Sequence, residues 1–159
     1  MARKTLSITL DKGRDKGKRF LITEMSAAQI DSWSLRLLNG VYGSGKGAEL
    51  SQIGSAAAMA QILFGVAGKP KDGKGEAEKE QASKAVETMF MDMLIKADPY
   101  VSSQLQAELM TQVKIMPSAA DPTITRALDD DDIEELSSIS KLRTEAIKIN
   151  IDFFTDAAE

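Results

Sequence analysis

The chain has 159 residues, 43% of them hydrophobic, and a formal net charge of −4 at pH 7, and it contains neither histidine nor cysteine. This length suits one compact domain, and the acidic balance argues against a general nucleic-acid binder. Without cysteine there is no disulfide, thiolate nucleophile or Cys-based zinc site, and without histidine the usual proton-transfer group near neutral pH is missing. We expect a non-enzymatic protein without catalytic residues, cofactor or metal; the alternative is an enzyme that uses Asp, Glu, Lys, Ser or Tyr alone, such as a nucleotide hydrolase using Lys46.

The first 25 residues carry the pattern of a β-hairpin. Two strand-like runs, Thr5–Leu10 and Arg19–Met25, flank a charged, glycine-containing segment that supplies turn residues. The apolar alternation of the first run stops before Asp11, so it predicts no export signal. The charged segment 11–18 is interpreted as a solvated turn, with contact to an acidic partner as the alternative.

A short amphipathic helix is predicted to follow, from Ser26 to Gly40. Ser26 and Gln29 have the spacing of a capping box, and Trp33 lies on the apolar face, where it is expected to anchor the core rather than to bind a ligand. Residues 40–48 are predicted to form a flexible loop. Their sequence, GVYGSGKGA, comes close to the phosphate-binding P-loop pattern, but Gly47 replaces the required Ser or Thr and no strand precedes it, so we predict no nucleotide binding.

The middle of the chain combines an uncharged run with a clear break. Residues 50–68 carry no charge, but serine and glutamine interrupt them, which favours a buried helix of a water-soluble protein over a membrane span. The segment 68–75, GKPKDGKG, is predicted to be a mobile surface linker because glycine, proline and charge disfavour regular structure.

Two helices are predicted next, joined as an αα-hairpin. Glutamates from Glu76 onward favour the start of the first helix and Lys96 its end. Asp98 and Pro99 are residue types typical of the N-cap and the first residue of a helix, and they predict the start of the second helix. The apolar face of that helix is predicted to continue to Val113.

After an irregular stretch, a long C-terminal helix closes the chain. The acidic run Asp129–Asp132 is well placed at its N-terminus, where negative charge is favourable. The alternative, a divalent-cation site that includes Glu134 and Glu135, lacks the alternating carboxylates and central glycine of a calcium loop. Ser138 and Lys141 have the S-x-x-K spacing of serine acyl-transfer enzymes, but the companion motifs are absent, so we interpret the pair as incidental.

The best candidates for contacts with a partner protein are apolar residues on these helical stripes. Methionine adapts to irregular apolar surfaces, and Met residues cluster around one phenylalanine in the first helix of the αα-hairpin. Core packing is the alternative role for each of them. The partner-binding candidates are Met89, Phe90, Met93, Leu94, Ile149 and Phe153.

The predicted fold is mainly α: a single small helical domain spanning 1–159, with an N-terminal β-hairpin over 5–25 and a helical body over 26–159. Its flexible segments are 40–48 and 68–75. No membrane span and no nucleic-acid surface are expected.

Two long passages resemble the tail assembly chaperones of long-tailed bacteriophages and prophages. The residues that carry the resemblance are Asp15–Met25 (DKGKRFLITEM), Trp33 and Arg36–Leu38 near the start, and Ile124–Glu135 (ITRALDDDDIEE), Leu142–Arg143 and Asp152–Phe154 near the end. Relatives often carry a histidine near the final Phe-Phe pair, where this chain has Ile149 and Asn150.

The resemblance implies a protein of the bacterial host cytoplasm that coats the tape measure protein and keeps it soluble before the tail tube polymerises. It also implies a second partner, a longer frameshifted form of the chain itself, and homo-oligomers are compatible with it. A client whose helices expose apolar stripes would otherwise aggregate, so adaptable apolar grooves suit this role. The alternative function is a structural tail component, such as a terminator or adaptor, that stays in the virion.

Overall fold

The computed structural model describes residues 2–46 and 76–151. The described chain is mainly α with a small antiparallel sheet, and its first two strands form the N-terminal hairpin, as predicted. The helices are α1 (Ala27–Gly43), α2 (Glu76–Lys96), α3 (Pro99–Met110) and α4 (Leu136–Ile151), and the strands are β1 (Thr5–Thr9), β2 (Arg19–Thr23), β3 (Val113–Ile115) and β4 (Arg126–Ala127). A 3-10 helix occupies Asp130–Asp132.

The chain divides into two compact units. The first, unit 1, comprises Met1–Ser26 and Gln106–Asn150, and the second, unit 2, comprises Ala27–Leu105 and the residues from Ile151 onward. The expectation of a single folded domain stays a prediction.

Unit 1 contains a four-stranded antiparallel sheet in the order β1-β2-β3-β4. Phe20 on β2 pairs with Ile8 on β1 and with Ile115 on β3, and Ile22 pairs with Leu6 and Val113. Because side chains alternate along a strand, these six apolar residues share one face, and the four on β2 and β3 are buried. Helix α4 adds buried residues to the same unit, namely Leu142, Ala146, Ile147 and Ile149.

The prediction that the apolar helical face continues to Val113 is wrong. Helix α3 ends at Met110, a turn follows, and Val113 begins β3. Val113 is opposite Ile22 on β2, so the pairing with the hairpin decides the conformation of this segment. A three-residue strand carries too little alternation to be detected in the sequence.

Unit 2 is built around Trp33. The indole ring stacks on Phe90 of α2 with centroids 6.1 Å apart, and its Nε1–H donates to the carbonyl oxygen of Leu105 at 3.0 Å. On α3, the Ser102 hydroxyl donates to the Leu94 carbonyl at 2.7 Å. These contacts tie α1, α2 and α3 together, and Trp33 is a core anchor, as predicted.

The end of α1 differs from the prediction. The helix begins at Ala27, directly after Ser26, but it continues to Gly43 rather than ending at Gly40. Gly40 serves close packing instead: a Cβ atom there would lie 2.8 Å from Cγ1 of Val101. The carbonyl of Gly40 also accepts the backbone N–H of Asp98 at 3.0 Å.

The turn between α2 and α3 confirms the predicted capping. Oδ1 of Asp98 accepts the backbone N–H groups of Tyr100 and Val101 at 3.0 and 3.3 Å, and Pro99 is the first helical residue.

Several sequence predictions lie outside the described residues. These are the buried helix within 50–68, the linker 68–75, the last residues of the loop 40–48 and the contact candidate Phe153. None of the helices in the described ranges is long and apolar enough to cross a membrane.

Candidate partner-binding site

The predicted contact residues are mostly buried. Phe90, Met93 and Leu94 belong to the core of unit 2, and Ile149 is buried on α4, whereas Met89 keeps partly exposed surface. Phe90 is held by its stack on Trp33. In this structure the buried residues position the helices that carry them, which is the core-packing role considered for each.

Exposed large apolar residues occur in both units of the described chain: Ile124 and Leu136 in unit 1, and three others in unit 2. Tyr42, Ile95 and Tyr100 are 50, 77 and 71% exposed. The Ser44 hydroxyl, at the end of α1, donates to the Lys96 carbonyl at 2.8 Å, so the end of α1 contacts the α2–α3 turn that Ile95 and Tyr100 flank. We call these three residues the turn-end patch. Helical periodicity did not single them out because each lies off the apolar stripe of its helix.

A cleft of about 370 Å³ lies between α1 and α3 in the same unit. Its lining residues are Arg36, Asn39, Gly40 and Gly43 of α1, and Asp98, Val101, Gln104 and Leu105 of the turn and α3. Tyr42 and Tyr100 are next in sequence to the lining residues Gly43 and Val101. The cleft combines two apolar side chains, Val101 and Leu105, with charged and polar ones, a mixture found at many protein-binding surfaces.

The charged hairpin loop contacts the acidic segment before α4. Asp15 is fully buried, and its carboxylate accepts the backbone N–H groups of Glu134 at 3.0 Å and Glu135 at 3.1 Å and pairs with Lys18 at 2.7 Å. The interpretation of this loop as a solvated turn is thus wrong for Asp15, and the acidic group that it approaches belongs to the chain itself.

Burial alone would raise the pKa of the Asp15 carboxyl. Hydrogen bonds from Lys18, from the Ser138 hydroxyl and from the backbone of Glu134 and Glu135 outweigh that effect and hold its pKa well below the usual range. Asp15 is therefore an ionised, fully hydrogen-bonded carboxylate at neutral pH. Its hydrogen bonds hold the segment that leads into α4, and the carboxylate is not available as a general base.

The acidic run has a different role from the one predicted. Asp129–Asp132 precedes α4 and forms a separate 3-10 turn, in which Asp129 and Asp132 make a capping box. The guanidinium group of Arg126 donates to both carboxylate oxygens of Asp132 at 2.6 Å, and this lowers the pKa of Asp132. In the part of the chain that the structure describes, no group of three acidic side chains is arranged to hold a metal ion.

The S-x-x-K pair and the P-loop-like segment both have a structural explanation. The Ser138 hydroxyl bonds to Asp15, and Lys141 Nζ lies 3.4 Å from Asp11, so the two S-x-x-K side chains engage different carboxylates of the hairpin loop. In the P-loop-like segment, residues 40–43 are helical, so they cannot form the loop that wraps a phosphate group.

One polar residue was missed by the sequence reasoning. The side chain of Asn150 is buried, its Oδ1 accepts the backbone N–H of Met25 at 2.7 Å, and its Nδ2 donates to the Ala146 carbonyl. It thereby joins the end of the hairpin to α4. Nothing in a single sequence distinguishes such an asparagine from one on the surface.

Comparison with known proteins gives no relative: no family model, curated protein or solved structure matches the chain.

Proposed function

We propose that the chain is a non-enzymatic tail assembly chaperone of a long-tailed phage or prophage, which binds the tape measure protein in the host cytoplasm and keeps it soluble. The observation that carries the binding part of the proposal is the exposure of the turn-end patch, in the same unit as the cleft between α1 and α3. The client and the phage setting rest on the resemblance of the two sequence passages.

The position of those passages supports the proposal. Asp15 and Lys18 belong to the first passage, and Glu134 and Asp132 belong to the second. Lys18 Nζ donates to the Asp132 carbonyl at 3.0 Å, and Asp15 accepts the N–H of Glu134. These four residues of the two passages are therefore joined in one structural junction.

The client surface is assigned to unit 2. Tyrosine supplies a large apolar area at a low cost in side-chain entropy, and its hydroxyl keeps a polar contact with water, so exposed tyrosines suit a surface that binds and releases an apolar helix. Tyr42, Ile95 and Tyr100 would pack against such a helix. The cleft would accept one or two of its side chains, because about 370 Å³ is too small for a complete helix.

Co-expression with the tape measure protein, followed by size-exclusion chromatography, tests the proposal. The wild-type chain is expected to co-elute with the client. The double variant Tyr42→Lys/Tyr100→Lys is expected to bind the client at least about tenfold more weakly. Ser103→Lys, an exposed change on α3, is the matched control and should leave binding intact. Absence of co-elution across several client fragments would overturn the client assignment.

Mass spectrometry of purified virions separates the chaperone from the alternative, a structural tail component. A chaperone is expected to be missing from the particle, whereas a terminator or adaptor would be present in fixed copy number.

A nucleotide hydrolase using Lys46 would be revealed by a higher melting temperature in ATP and magnesium, which we do not expect.

A further inference from the structure

The outer edge of β1 has no partner strand within residues 2–46 and 76–151. β1 lies at the end of the sheet and pairs only with β2 among the described strands. Natural sheets protect such edges with charged residues, proline, bulges or very short strands. β4, at the opposite edge, has two residues, one of them Arg126, whereas β1 is the five-residue run TLSIT without charge or proline.

The hydrogen-bonding groups of this edge can be identified from the register. The Lys4 carbonyl accepts the N–H of Glu24, and the N–H of Leu10 donates to the Lys18 carbonyl, so the even-numbered residues of β1 face β2. In an antiparallel pair the intervening residues point away. The backbone groups of Thr5, Ser7 and Thr9 therefore face outward, and all three residues are exposed.

The sequence of β1 is symmetric about Ser7. Reading outward from Ser7 in either direction gives an apolar residue and then a threonine: Leu6 and Thr5 on one side, Ile8 and Thr9 on the other. When two copies align antiparallel with Ser7 opposite Ser7, each Leu6 therefore meets an Ile8 and each Thr5 meets a Thr9.

The core face of β1 is also incomplete. Leu6 and Ile8 are only half-buried, whereas their partners on β2, Ile22 and Phe20, are fully buried. A second β1 in the same register would cover each Leu6 with an Ile8 and each Ile8 with a Leu6 on that face.

We infer that the chain forms a two-fold symmetric dimer in which β1 pairs antiparallel with β1 of a second copy, with Ser7 at the centre. The two sheets join into one of eight strands, held by about six N–H···O bonds between Thr5, Ser7 and Thr9 of the two copies. Both copies use the same patch, as a two-fold interface requires. Because the contact is short, we expect a micromolar dissociation constant. This inference does not depend on the proposed client.

Single-cysteine trapping tests both the interface and its register, since the chain has no cysteine of its own. The two Ser7 Cα atoms would lie about 5.5 Å apart, within the range of a disulfide. Ser7→Cys is therefore expected to form a covalent dimer under mild oxidation. Thr5→Cys should form none, because the two copies of residue 5 would be separated by roughly 13 Å along the strands. A mixture of Thr5→Cys and Thr9→Cys should cross-link.

Ser7→Pro supplies the non-covalent test. Its missing N–H would face the partner and not β2, so a folded monomer is expected by light scattering and circular dichroism at roughly 10–100 µM, where the wild type dimerises. If Ser7→Pro fails to fold, the cysteine cross-linking experiments alone test the dimer.

Three results would overturn the inference. The first is a wild-type chain that stays monomeric while Ser7→Cys cross-links no more than the surface control Ser103→Cys. The second is equal cross-linking of Thr5→Cys and Ser7→Cys, which indicates parallel pairing or random collision. The third is a monomeric chain whose Ser7→Pro variant loses its client, because the edge would then bind the client.

Discussion

Asp15 and Glu134 are joined by a hydrogen bond across 119 residues of sequence: the buried Asp15 carboxylate accepts the backbone N–H of Glu134 at 3.0 Å. The same carboxylate accepts the N–H of Glu135 and pairs with Lys18. One side chain in a hairpin loop therefore fixes the segment that leads into α4. Its removal would leave several donors without an acceptor.

We expect Asp15→Asn to lower the free energy of unfolding by about 2–4 kcal/mol, because it leaves Lys18 and two backbone N–H groups poorly matched. Urea denaturation measures this difference. Asp11→Asn in the same loop is the matched control: its ion pair with Lys141 is exposed, so no measurable change in the free energy of unfolding is expected. Equal effects of the two variants would contradict the central role of Asp15.

The acid stability of the protein should depend on the same residue. The pKa of Asp15 is lower in the folded chain than in the unfolded chain, so its contribution is complete above about pH 4 and is lost as the pH falls toward the folded pKa. Below pH 4 we expect wild type and Asp15→Asn to converge in stability. Denaturation curves from pH 7 to pH 2 check this, and a constant difference between the two chains would refute it.

Two glycines of α1 should respond in opposite directions to the same substitution. Gly40→Ala is expected to cost about 1–3 kcal/mol, because the new methyl group would lie 2.8 Å from Cγ1 of Val101. Gly43→Ala has no heavy atom within 4 Å and should stabilise the helix by about 0.5 kcal/mol. Thermal melting of each variant measures its change in stability relative to the wild type. A neutral Gly40→Ala would show that α1 and α3 are less tightly packed than described.

Phe90→Leu should reduce stability by about 1–2 kcal/mol through loss of the stack on Trp33. Met89→Leu, at a partly exposed neighbouring position, should change it by less than about 0.5 kcal/mol. Trp33 is the only tryptophan, so its fluorescence during urea unfolding reports both variants directly. If Met89→Leu were the more destabilising, the assignment of Phe90 to the core would be wrong.

Local signals predicted the elements that depend on a few neighbouring residues. The alternation of β1 and β2 and the Asp98-Pro99 start of α3 are examples, because strand periodicity and N-caps are properties of adjacent residues. The features that were not predicted depend on residues that are distant in the sequence. Gly40 looked like a helix stop, but its role comes from Val101. The charge of Asp132 is used by Arg126 and by the 3-10 turn rather than by the N-terminus of α4.

The candidate site shows the same division. Periodicity correctly found apolar helical stripes, but a stripe marks the surface that a helix buries, and here α2 uses it against Trp33. Tyr42 and Tyr100 gave no pattern because each lies off the apolar stripe of its helix, although each is next to a valine in sequence. Only the contact between the end of α1 and the α2–α3 turn brings them to one end of unit 2.

Unit 1 is discontinuous in sequence, and this affects the order of events during synthesis. The hairpin leaves the ribosome first, but β3, β4 and α4, which complete its sheet and core, follow only after residues 27–105. A two-stranded hairpin is marginally stable in water. The nascent chain must therefore carry Phe20 and Ile22 incompletely covered until α4 emerges, and during that time the hairpin should be sensitive to proteases.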